Sequence, residues 1–356
     1  MSRFLAERYA HLEAYTPGEQ PTDMKYIKLN TNESPFPPSP GVIRAISEQS
    51  VRELRLYSDP DCGILRRTIA QHFGFDKQNV FVSNGSDDIL NFSFMAFCDG
   101  TRCGVAFPEI SYGFYQVYAD LYGVDAKRIA LEEDFSIRVE DYCGNDRTVV
   151  IANPNAPTGI ALSREQIERI VASNPDHVVL IDEAYVDFGG ESALELVKRY
   201  DNLLVVRTFS KSYSLAGARL GFAIGHPDLI ADLEKIKYST NPYNINRLTL
   251  LAGTAAIEEN DYYMENCKEI IRNRSYLTDA LRAMGFTVLP SCANFIFAKS
   301  DAIGGEELYL ALKARGILIR HFTKEKIKDY NRITIGTIEE MHALTDAIRE
   351  ILSAAT

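Results

Sequence analysis

The sequence predicts an α/β protein, a mainly parallel sheet covered by helices, followed by a small α+β domain. Three observations carry this reading. Between about residues 42 and 240, short runs recur that are apolar at nearly every position: 80–82, 105–107, 149–152, 178–181, 203–206 and 221–224. Such runs mark strands buried on both faces, as in a sheet with helices above and below it. Helical segments such as 163–172 lie between the runs, which is βαβ repetition. Near residue 245 the pattern changes to a long helical stretch and then shorter mixed elements.

Residues 1–28 are polar with scattered aromatics and read as an N-terminal arm with a short helix. The segment 29–40 follows, with four prolines among its last six residues, and is expected to be an extended loop. Residues 29–244 make up the large domain and 245–356 the small one. In the latter, a helix over 265–284 stops at Gly285, and strand-like 286–289 and 294–298 follow. A helix near 305–314, strands at 316–320 and 332–336, and a last helix through Ile351 complete the chain. No repeats or low-complexity tracts interrupt it.

Hydrophobic residues make up 46% of the 356, enough to fill the cores of about two domains at ~150 residues each. The net charge of −11 weighs against nucleic acid or an anionic membrane as a partner, although a few placed arginines can still hold a small anion. Cysteines 62, 98, 103, 143, 267 and 292 form no C-x-x-C pair and accompany no histidine cluster, so free thiols and no metal are expected. The N-terminus has no uninterrupted apolar stretch of signal-peptide type, and no run of about 20 apolar residues exists to span a membrane. The expected location is the cytoplasm.

The groups that can do chemistry stand where strands end, the place at which open α/β sheets bind ligands. Lys211 follows the run at 203–206 through a Thr-Phe-Ser turn, with Ser210 and Ser212 beside it and Arg219 eight residues on. The grouping supplies an amine to attack a carbonyl, and donors and charge to hold a phosphate. A phosphorylated aldehyde cofactor needs both. Ser86, in Asn84-Gly85-Ser86-Asp87-Asp88, is read as the N-cap of the next helix, whose start would suit a phosphate. Taken alone, an ordinary cap with no ligand is the preferred reading. Asp182 follows the run at 178–181, and an unpaired carboxylate at a buried strand end is costly. A pyridinium nitrogen would partner it, with Tyr185 near a phenolic ring oxygen, but a structural salt bridge fits as well. The segment 153–159, Asn-Pro-Asn-Ala-Pro-Thr-Gly, reads as a turn at the sheet's edge. After 105–107 come Tyr112, which can stack on a flat ring, and Tyr115, for which core packing is preferred.

Together these segments resemble pyridoxal-phosphate enzymes of the aspartate-aminotransferase fold (fold type I), and more narrowly the histidinol-phosphate aminotransferase family. The resemblance covers nearly the whole chain. It rests on 12–18, 29–35, Tyr57-Ser58-Asp59-Pro60, 84–88, 153–159, Asp182-Glu183-Ala184-Tyr185, the run around Lys211 and 332–337. Lys211 is implied to bind pyridoxal 5'-phosphate as a Schiff base. Asp182 would pair with the ring nitrogen, Tyr185 contact the ring oxygen and Tyr112 stack on the ring. Ser86, Asp87, Ser210 and Arg219 would hold the phosphate. Tyr57 would reach the phosphate of a neighbouring subunit, which makes the active unit a homodimer. Tyr15, Asn32, Arg320 and Arg332 would face substrate. The family pattern has Asn directly before Pro-Thr-Gly, where this chain has Ala156, so Asn155 is the expected substitute. Asp88 stands for the more usual Glu, and Ala14 for Pro.

The implied activity is transamination of L-histidinol phosphate with 2-oxoglutarate, giving imidazole acetol phosphate and glutamate in histidine biosynthesis. Two alternatives stay open: an L-threonine-phosphate decarboxylase, and an aminotransferase for aromatic or other amino acids. A pyridoxal-phosphate-sensing regulator would carry an added DNA-binding module, for which the chain has no room.

Overall fold

The structure is a computed structural model and describes residues 3–100 and 103–355. Each of the six apolar runs is a strand. In chain order the strands up to residue 225 are β1 (Ile27–Lys28), β2 (Val80–Ser83), β3 (Val105–Pro108), β4 (Ala126–Ile129), β5 (Thr148–Ala152), β6 (Val179–Asp182), β7 (Leu203–Thr208) and β8 (Gly221–Gly225). Seven of them form one sheet in the order β2-β8-β7-β6-β5-β3-β4. Only β8 runs antiparallel to its neighbours in this sheet.

Side chains alternate across this sheet with the two-residue period of a strand. Val149, Ile151, Val179, Ile181, Leu203 and Val205 face one core, with Ile167 and Ile170 of helix Arg164–Ser173. Val150, Leu180, Leu204 and Val206 face the other, with residues of helices Ser86–Phe97 and Phe114–Tyr122. Each fully buried aliphatic side chain contributes about 1.5–3 kcal/mol. Strand β4 was not expected, and its residues explain why. Lys127 and Arg128 are exposed, as suits a sheet edge guarded by charge, so no apolar run announces it.

The remaining strands are β9 (Phe286–Val288), β10 (Phe295–Ser300), β11 (Ile317–Leu318), β12 (Arg320–His321) and β13 (Asn331–Thr334). An antiparallel sheet, β12-β13-β10-β9, packs against helices Asn260–Ala283 and Ile338–Ala355. The single strand expected over 316–320 is two strands in two sheets. Strand β11 pairs in parallel with β1, and β12 pairs with β13. Leu29 lies in the core under the smaller sheet, whereas Ala252, Ala256 and Tyr263 lie in a core of the larger one. Among the described residues no helix is long and apolar enough to cross a membrane.

Candidate active site

Asp182 is the last residue of β6, aligned with Ala152 of β5 and Val206 of β7. Register therefore sets its carboxylate at the C-terminal end of three parallel strands. It is 5% exposed, accepts hydrogen bonds from Tyr115 Oη at 2.9 Å and Ala184 N at 3.3 Å, and has no ion-pair partner among the described residues. Burial pushes its pKa up to about 6. Tyr115 is thus more than the core residue that the sequence suggests. It is fully buried and also donates to Asp182, and its place three residues beyond Tyr112 was the available signal.

Lys211 lies three residues beyond β7, in a turn anchored by fully buried Phe209 and by the Ser210 N–H to Thr208 Oγ1 bond at 3.1 Å. Its Nζ donates to the Thr31 carbonyl at 3.1 Å, and no carboxylate pairs with it among the described residues. Burial, and then the positive charge of Arg332, lower its pKa to about 8. An amine of this kind loses its proton far more readily than an ordinary lysine, which a nucleophile or proton carrier requires.

Helix Ser86–Phe97 opens the other end of the pocket. Its N-cap is Gly85, at φ 88°, and no side chain caps it. Ser86 is the first helical residue, which corrects its assignment as the cap. Close approach is possible because two glycines leave room: a Cβ on Gly221 would stand 2.5 Å from Ser86 N, and one on Gly85 2.8 Å from Arg219 Nη2. Arg219 donates to Asp87 Oδ2 at 3.0 Å and to Ser210 Oγ at 3.4 Å. Tyr112 Oη donates to Asp87 Oδ1 at 2.7 Å, and its ring lines the pocket. Uncapped N–H groups at a helix start, with a guanidinium and a hydroxyl beside them, suit a phosphate.

Tyr185 lies across the pocket, its Oη accepting from Asn32 Nδ2 at 3.0 Å, while Asn32 Oδ1 accepts from Thr334 Oγ1 at 3.0 Å. Asn155 does not line the pocket. Its amide is used up in the loops, donating to Ile110 O at 3.0 Å and Thr158 Oγ1 at 3.3 Å and accepting from Ser111 Oγ at 2.8 Å. Ala156 lines the pocket instead. Tyr57 is 80% exposed, stacked on Tyr243 at 4.7 Å and outside the pocket of its own chain.

A second hollow adjoins the first and shares Tyr112, Ala156, Tyr185 and Lys211 with it. Tyr15, Asn32, Arg320 and Arg332 line it. Tyr15 stacks on Phe114 at 4.2 Å. Arg332 donates to Asn30 O at 2.9 Å while its buried Nε has no partner. Arg320 reaches Thr16 O and Pro17 O at 3.4 Å each.

The pocket fits pyridoxal phosphate on chemical grounds. A buried carboxylate without a cation matches a ring N–H, an unpaired amine matches an aldehyde, and the open helix start with Arg219 matches a phosphate. Fold and pocket together define a pyridoxal-phosphate enzyme of fold type I. The family model described as aminotransferase class I and II matches residues 24–348. Proteins named histidinol-phosphate aminotransferase from Brachyspira hyodysenteriae and Marinomonas sp. are 49% and 50% identical over 354 residues, which is 99% of this chain and 99% and 100% of theirs. The histidinol-phosphate aminotransferase of Sinorhizobium meliloti, solved in complex with pyridoxal-5'-phosphate, superposes with a TM-score of 0.84 at 25% identity, over 93% of this chain and 92% of that one. The chain belongs to the class I and II aminotransferase family, among its histidinol-phosphate aminotransferases.

Proposed function

We propose that this protein transfers the amino group of L-histidinol phosphate to 2-oxoglutarate, giving imidazole acetol phosphate and glutamate. One observation carries the reading. The amine of Lys211 lies between the buried carboxylate of Asp182 and a hollow that holds two arginines, and among the described residues none of these charges has an ion-pair partner. Bound pyridoxal phosphate supplies an aldehyde for the substrate amine and a ring that takes up the electron pair left at the substrate carbon.

The residues of the chain do the rest. Ser86, Asp87 (through backbone), Ser210 and Arg219 would hold the cofactor phosphate, and Tyr112 would stack on the ring. Asp182 keeps a proton on the ring nitrogen by offering negative charge there, and Tyr115 orients that carboxylate. Tyr185, steadied by Asn32, faces the ring oxygen. Lys211 Nζ would take up the proton from the substrate carbon and carry it. Arg320 and Arg332 bind the phosphate monoester of the first substrate and a carboxylate of the second, and Tyr15 closes over them. Residues 29–244 carry the cofactor, and 245–356 bring the two arginines to it. The active unit is a cytoplasmic homodimer in which Tyr57 serves the neighbouring subunit.

Single-turnover absorbance of the cofactor-loaded protein tests this. Histidinol phosphate should change the visible band and 2-oxoglutarate restore it, while threonine phosphate should do neither. Release of carbon dioxide from threonine phosphate would replace the transaminase reading with a lyase.

A further inference from the structure

Beyond β12, Lys324 has an extended backbone, with φ and ψ of −66° and 132°. Alternate residues of an extended segment share a face. Arg320, Phe322 and Lys324 line the hollow beside Lys211, while His321 and Thr323 do not. The neighbouring lysines are committed elsewhere: Lys326 pairs with Glu109 at 2.5 Å, and Lys328 with Glu325 at 2.7 Å. Lys324 has no hydrogen bond or ion pair to a side chain or carbonyl among the described residues, although Glu325 adjoins it. It is an exposed cation at the rim of a hollow that already holds two guanidiniums, in a chain of net charge −11.

Resting on the functional reading above, we propose that Lys324 is a specificity-determining residue, the third cation that separates a phosphate-bearing substrate from a carboxylate-bearing one. The two substrates alternate in one site. A phosphate monoester carries nearly two negative charges at neutral pH, its second ionisation lying near ~6. A carboxylate carries one. Two fixed arginine forks suit the oxygens of either group. An exposed ammonium at the rim, making a point contact, adds attraction in proportion to the extra charge and leaves the smaller anion little affected.

The test replaces Lys324 with Ala in the cofactor-loaded enzyme and measures both half-reactions. The Lys324 side chain has no hydrogen bond or ion pair among the described residues, and the residue's one hydrogen bond there, its carbonyl accepting from Ile327 N, is backbone, so the fold should be unchanged. KM for histidinol phosphate should rise about fivefold, in the range of an exposed ion pair, with kcat held and KM for glutamate within about twofold. Wild-type KM for histidinol phosphate should fall as pH rises through about 6, where the dianion forms, and Lys324→Ala should flatten that fall. Lys324→Arg should restore it. Equal changes for both substrates, or an unaltered pH profile, would overturn the proposal. Wild-type enzyme that ignores histidinol phosphate would instead sink the functional reading, an outcome visible without the variant.

Discussion

Arg320 on β12 and Arg332 on β13 are direct cross-strand partners, and neither meets a carboxylate among the described residues. Like charges placed opposite one another destabilise a strand pair. Arg332 is also half-buried, and desolvation lowers its pKa. An anion bound between the two guanidiniums would relieve both costs, which supports the proposal that a substrate anion binds there.

Arg332→Ala should therefore raise KM for histidinol phosphate roughly 10- to 100-fold, the worth of one charge-assisted hydrogen bond, with cofactor affinity held within about threefold. Parallel titrations of substrate and cofactor check this. Comparable losses in both would reduce Arg332 to a structural role.

Asp182 predicts a pH-dependent reversal. Its folded pKa of about 6 lies above the ordinary 3.8, so folding without cofactor holds a proton on the carboxylate. Stability from this group is whole below pH 3.8 and falls as pH rises to about 6, by about 3 kcal/mol in all. Asp182→Asn removes that loss. Without cofactor the variant should melt with wild type near pH 4 and above it at pH 8. With pyridoxal phosphate added, wild type should gain more, because only a carboxylate offers charge to the ring N–H. Melting curves at the two pH values decide.

Lys211 should take up the cofactor with a midpoint near pH 8, where its amine becomes free. Borohydride trapping on cofactor-free protein, read by mass, gives that midpoint. Arg332→Gln removes a positive neighbour and should move it upward. Lys211→Ala should trap nothing and lose the visible band of the bound cofactor; a retained band would remove the assignment.

Tyr115→Phe deletes the 2.9 Å hydrogen bond to Asp182. A hydrogen bond to a carboxylate contributes about 1.5–3 kcal/mol, so cofactor affinity should fall by roughly tenfold or more. In an Asp182→Asn background the same change should cost much less, since the charge it serves is gone. Additive losses would show that Tyr115 only fills space.

Tyr57, exposed beside Tyr243, is expected to act across a subunit boundary. Inactive Lys211→Ala and weakened Tyr57→Ala proteins, mixed under exchange, should then recover activity in hybrid dimers, each of which has one intact site. No recovery in dimers shown to have exchanged would confine Tyr57 to its own chain.

Much of the large sheet was readable because a strand buried on both faces must be apolar throughout, and the runs at 149–152 and 203–206 are. Strand β4 escaped because its edge position calls for charge. The 316–320 run escaped because apolarity cannot say that Ile317 pairs with Ile27 while Arg320 pairs with Arg332. Ser86 drew the N-cap assignment by residue type, yet Gly85 holds that place, since a Cβ there would strike Arg219. Asn155 had the right chemistry for a ring oxygen, but Ile110, Ser111 and Thr158 use its amide.

What the residues determined by themselves is local: an amine and a carboxylate each directly beyond an apolar run, and a glycine turn before a helix. Chain direction and strand length suffice to put such groups at one end of a sheet. What only the tertiary structure decided is pairwise: Arg320 against Arg332, Tyr115 on Asp182, Asn32 on Tyr185. Those contacts depend on register and packing between segments up to 153 residues apart for the last pair, and no local preference along the chain encodes them.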